Sequence, residues 1–120
     1  MMKDIAPGIF RQRLLIEGYY SIDVDREGVE RYLFDVAEHL GLRTYGEAVI
    51  FSPSGLGKEA NQGFDAFVPL VDSGISAYIW VSQRFFSVVL YSCKEFDVSS
   101  ALEFTAGFFG VERELVHESF

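Results

Sequence analysis

Residues 64–92 read FDAFVPLVDSGISAYIWVSQRFFSVVLYS. Three runs rich in β-branched and aromatic residues, 64–71, 75–81 and 85–92, are separated by Asp72-Ser73-Gly74 and by Ser82-Gln83-Arg84. Apolar runs of this length bounded by turn residues predict strands. Connections this short predict antiparallel neighbours. FFSVVLY and AYIWV are apolar at consecutive positions, so both faces of the sheet are expected to be buried.

Upstream, residues 13–22 (RLLIEGYYSI) predict another strand. Residues 25–40 predict a helix, because Val29, Tyr32, Leu33, Val36, Ala37 and Leu40 recur on one helical face. Asp23 or Asp25 is placed to cap its start, and Gly41 to end it in a left-handed turn. Residues 44–52 predict a strand, and the polar stretch 53–63 a flexible loop. Downstream, residues 99–109 predict a helix stopped by Gly110, and 111–119 a last strand. The order is strand, helix, four strands, helix, strand. It predicts an α+β two-layer sandwich, a mostly antiparallel sheet with two helices on one face. Two helices cover one face only, so a homodimer packed sheet to sheet is expected.

A chain of 120 residues, 49% hydrophobic, suits one domain, residues 1–120. Its net charge is -8 and its ten Lys and Arg form no cluster, which argues against nucleic acid and anionic membranes as partners. A negative field favours a small cationic ligand. No apolar run reaches membrane-spanning length, and residues 1–10 lack the apolar core of a signal peptide. Cys93 is the single cysteine, so no internal disulfide forms and a reducing, cytoplasmic setting is expected.

Two familiar constellations fail. SPSGLGKE (52–59) has Ser52 where a phosphate loop needs glycine and Glu59 where it needs Ser or Thr. His39, on the helix, and His117, in the last strand, share no ligand spacing with Cys93, so no metal site is expected.

One constellation survives. An acidic residue and a serine, Asp72-Ser73, sit at a tight turn between apolar strands; Trp80 lies in the next strand and Cys93 ends the one after. The separations of Ser73 from Gly63, Trp80 and Cys93, together with LLIEGYYSIDVDREGVERYLFDVAEHLG near the N-terminus, resemble the small prokaryotic S-adenosylmethionine decarboxylase family. The resemblance implies cleavage of the Asp72–Ser73 bond and conversion of Ser73 into a pyruvoyl group, which accepts electrons as carbon dioxide leaves. It implies Cys93 as the proton donor to the decarboxylated carbon. It also implies a substrate such as S-adenosylmethionine, on the route to spermidine, with Glu17 and Asp65 as carboxylates for its cationic part.

The chain departs from that family at three places. Gly74 stands where a histidine follows the precursor serine. Tyr78 replaces the histidine that serves the elimination, and Asp65 replaces a processing serine. A tyrosine of ordinary pKa, about 10, is a poor base at neutral pH, though Tyr78 keeps a hydrogen-bonding hydroxyl for a catalytic role. A carboxylate at Asp65 opposes a developing oxyanion. The alternative to a decarboxylase is a non-catalytic homologue, a ligand-binding or regulatory homodimer. Outside the resemblance, Asp-Ser-Gly is ordinary turn chemistry, Cys93 a small core residue, and Trp80 is expected in the core.

Overall fold

The computed structural model describes residues 2–52 and 56–120. Residues 53–55 of the expected loop lie outside them. The elements run β1 (Gln12–Tyr19), α1 (Arg26–His39), β2 (Val49–Phe51), β3 (Gly63–Leu70), β4 (Ser73–Trp80), β5 (Phe85–Ser92), α2 (Val98–Phe109) and β6 (Leu115–Ser119), with a 3-10 turn at Glu59–Asn61. The sheet order is β2-β3-β4-β5-β1-β6, and each pairing is antiparallel.

Both helices lie on one face of this sheet. α1 packs over β2, β3 and β4, α2 over β1, and the helices touch each other. Strand alternation sends Leu14 and Ile16 of β1, Ala66, Val68 and Leu70 of β3, Ile75, Ala77 and Ile79 of β4, and Phe86, Val88 and Leu90 of β5 into the core beneath them. From α1 come Val29, Tyr32, Leu33, Val36 and Ala37, the stripe its periodicity predicts. The Asp25 carboxylate accepts the Gly28 amide at 2.7 Å and caps α1, while Asp97 caps α2 through the Ser100 amide. Gly41 and Gly110 follow the two helices in the left-handed region. Tyr32 bridges the helices: its buried hydroxyl shares a 2.8 Å hydrogen bond with Thr105. Its ring lies 4.9 Å from that of Phe109, which stacks at 4.3 Å on Phe86.

Two expected strands are shorter than their sequences suggest. In 44–52 only Val49–Phe51 pairs as a strand, with Thr44 bridging Leu70 alone, because Gly46 at φ 81° turns the chain out of the ladder. In 111–119 the ladder begins at Leu115, opposite Gly18; the charged run Glu112-Arg113-Glu114 precedes it, with Arg113 over the Tyr19 ring.

The other sheet face is uncovered within the chain, as two helices on one face leave it. Phe51, Phe67, Tyr78, Tyr91, Tyr19 and Val116 are all at least 40% exposed there. Trp80, expected in the core, also lies on this open face, half-buried, with its indole N–H donating to Asn61. The reason is parity: Trp80 shares the face of Tyr78, opposite to Ile79.

Candidate active site

The β3–β4 hairpin closes with Leu70 opposite Ser73, leaving Val71 and Asp72 as its turn. Asp72 takes φ 61°, a conformation that aspartate tolerates better than most side chains. The Val71 amide donates to the Arg43 carbonyl, which ties the turn to the segment after α1. Ser73 is therefore the first residue of β4, just past a bond held in the left-handed region.

Ser73 and Cys93 meet. The Cys93 backbone N–H donates to Ser73 Oγ at 2.8 Å. Together with Leu42, Arg43, Asp72 and Lys94 they line a concavity of about 280 Å³. Cys93 is exposed, just beyond the end of β5. The Lys94 ammonium donates to the Gly41 carbonyl at the end of α1. Arg43 and Lys94 make this end of the sheet locally cationic in an acidic protein.

Tyr78, Asp65 and Glu17 gather elsewhere. The register Phe51–Asp65–Tyr78–Ser87–Glu17–Val116 forms one row across all six strands on the open face. Glu17 accepts the Ser87 hydroxyl at 2.7 Å. Asp65 and Tyr78 also line a second concavity, about 260 Å³, with Lys58, Asn61, Gln62 and Trp80. Tyr78 is five residues along β4 from Ser73, about 16 Å at strand rise, and alternation points the two side chains to opposite faces. Within one chain Tyr78 does not reach Ser73.

Three contributors escape a reading by motif. Ser92 and Gln12 hold the segment that carries Cys93: Ser92 binds the Lys94 backbone through its hydroxyl, and the Gln12 amide pairs with both backbone groups of Phe96. Phe67 covers Gly74: a Cβ built on Gly74 would lie 2.4 Å from the Phe67 ring. The space of the missing histidine side chain is thus taken by an aromatic ring from β3. No sequence motif gives Ser92 a role; the one signal that could have found it is a polar residue at a strand end beside the lone cysteine. Among the described residues, no group of three His, Cys, Asp or Glu side chains is arranged to hold a metal ion.

The fold has a solved counterpart. The crystal structure of the adenosylmethionine decarboxylase from Aquifex aeolicus VF5 superposes with a TM-score of 0.70 at 18% identity, covering 93% of this chain and 89% of that one. No curated protein matches by sequence. At that identity the superposition speaks for architecture, whereas the family itself is decided by sequence: the S-adenosylmethionine decarboxylase model matches residues 13–120, from the start of β1 through the Asp72–Ser73 turn to the end of β6. The chain therefore belongs to the S-adenosylmethionine decarboxylase family.

Proposed function

We propose that this chain cuts itself before Ser73 and works as a pyruvoyl-dependent carboxy-lyase on S-adenosylmethionine or a related cationic amino acid. The observation that carries this reading is the pairing of Ser73 with Cys93, the two residues on which the family's chemistry turns, by a 2.8 Å hydrogen bond. In the processing step Ser73 Oγ attacks the Asp72 carbonyl carbon, the Asp72–Ser73 C–N bond breaks, and an ester forms. Loss of the Ser73 Cα proton then expels the Asp72 carboxylate, and hydrolysis of the resulting enamine releases ammonia. The Cys93 N–H favours the attack because a donor on Oγ stabilises negative charge as the hydroxyl gives up its proton. Ser73 and Cys93 fit the group, a serine at the cleavage position with the Cys93 amide against it, whereas Gly74, Tyr78 and Asp65 do not supply the family's processing side chains. Once formed, the pyruvoyl group would supply the electron-accepting carbonyl for decarboxylation. Cys93 would deliver the proton that replaces carbon dioxide; Glu17 and Asp65, in the row of Tyr78, would within one chain favour a cationic substrate through their field rather than by contact at Ser73.

Intact mass tests the reading. The expected result is two chains, 1–72 and 73–120, with Ser73→Ala remaining whole. A single 13.6 kDa chain that persists on prolonged incubation would refute self-processing.

The Phe67 ring over Gly74 favours a second reading, a non-catalytic homologue that binds a ligand as a homodimer. Calorimetry with S-adenosylmethionine and spermidine on the uncut chain decides it; heats equal to dilution for both reject it. Under either reading we propose a second copy as the occupant of the open sheet face. Large apolar side chains cross that face from Val49 and Phe51 on β2 to Val116 on β6, and a sheet of the same twist is the natural complement to it.

A further inference from the structure

Ser92 is 1% exposed and ends β5 on the core side, where an unbonded hydroxyl would be costly. It is fully used. Its Oγ donates to the Lys94 carbonyl at 2.5 Å and accepts the Lys94 amide at 2.9 Å, bridging the peptide units on either side of Lys94, the first of which carries the Cys93 carbonyl. The chain leaves the strand at this point, so no ladder bond fixes Cys93. The Lys94 ammonium and the Gln12 amide act further along, on Gly41 and Phe96, and neither holds the Cys93 peptide itself.

We propose that Ser92 is a positioning residue: its hydroxyl sets the turn that aims the Cys93 N–H at Ser73 Oγ, and so holds the two reacting residues in register. The inference rests on the reading of Ser73 and Cys93 as the reacting pair. Ser92 touches neither substrate nor the bond that is cut; it works by pinning the Lys94 backbone, and so the turn in which Cys93 stands. A hydroxyl is required for this, and threonine supplies one in the same place, whereas alanine and valine do not.

The test reads the Cys93 amide in the uncut chain by NMR hydrogen exchange. Wild type should show a protected Cys93 amide although the residue is exposed. Removing one net hydrogen bond should accelerate that exchange about tenfold in Ser92→Ala, and equally in Ser73→Ala. Ser92→Thr should stay within about twofold of wild type, and the core amides of Ile16 and Val88 should be unchanged in every variant. Should Ser92→Ala fail to fold, Ser92→Thr against Ser92→Val makes the same comparison at constant shape. Wild-type exchange at Cys93 in the alanine or valine variant, or equal acceleration in the threonine variant, overturns the proposal. If wild type cuts itself, the same variants are compared by the rate at which chain 73–120 appears: about tenfold slower in Ser92→Ala, near wild type in Ser92→Thr. A chain that never cuts but shows the expected exchange pattern defeats the enzymatic reading and leaves only the placement of the Cys93 amide by Ser92.

Discussion

Adding one methyl group at position 74 asks whether the ring of Phe67 has closed the space that the family fills with histidine. Gly74 lies outside the left-handed region, so alanine fits its backbone. The obstacle is spatial: its Cβ would meet Phe67 Cε1 at 2.4 Å and Cζ at 2.6 Å. The ring must swing away, which caps the cost at what Phe67 gains by its present burial. Phe67 is 40% exposed, so it holds somewhat over half of the 1.5–3 kcal/mol of a fully buried phenylalanine, about 1–2 kcal/mol. Alanine for glycine in a strand returns about 0.5–1 kcal/mol through chain entropy. Gly74→Ala should therefore destabilise by about 0.5–1 kcal/mol alone, yet stabilise by a similar amount when Phe67 is already alanine. Urea unfolding of wild type, both single variants and the double variant, at one protein concentration, gives a coupling of about 1–2 kcal/mol. A coupling below about 0.5 kcal/mol would refute the claim that Phe67 holds that space.

Tyr32→Phe should cost about 1–2 kcal/mol in urea unfolding, because it strands the buried Thr105 hydroxyl. Burial raises the Tyr32 pKa, so the folded chain keeps the phenol proton above pH 10 while the unfolded chain loses it. The unfolded state then binds fewer protons and stability falls with rising pH; a pH series should show that fall, shallower in Tyr32→Phe. Asp25→Ala removes the α1 cap and should lower the melting temperature by about 3–6 °C, as for about 1 kcal/mol, with Asp25→Ser near wild type by circular dichroism. Val89→Glu places a carboxylate at the centre of the open face; by sedimentation it should weaken a sheet-to-sheet dimer by about a hundredfold, and an unchanged dimer would place the interface elsewhere.

Much of this architecture was legible because the periods are clean. The α1 stripe from Val29 to Ala37, and the β-branched and aromatic runs of β3, β4 and β5 set off by short turns, made the element types readable. The run of consecutive apolar residues in FFSVVLY and AYIWV reads as burial on both faces whether the second cover lies in the chain or outside it. Trp80 was misplaced for the same reason, since large aromatic residues suit a core and an unpaired sheet face equally. In the site, the spacing of Ser73 and Cys93 was readable because the β4–β5 hairpin converts sequence distance directly into adjacency. Tyr78 was grouped with Ser73 by the family's positions, although their odd separation along β4 turns them to opposite faces. Ser92, Gln12 and Phe67 act by backbone clamping and ring placement, which leave no motif.

The indole of Trp80, tilted against the Phe85 ring at 5.2 Å and anchored to Asn61 at the margin of the open face, gives the molecule a built-in optical gauge. It is the single tryptophan in the chain, so the whole indole emission reports from that one spot. Whatever settles on the aromatic rows will dry the ring and shift its fluorescence to the blue, without any label being attached.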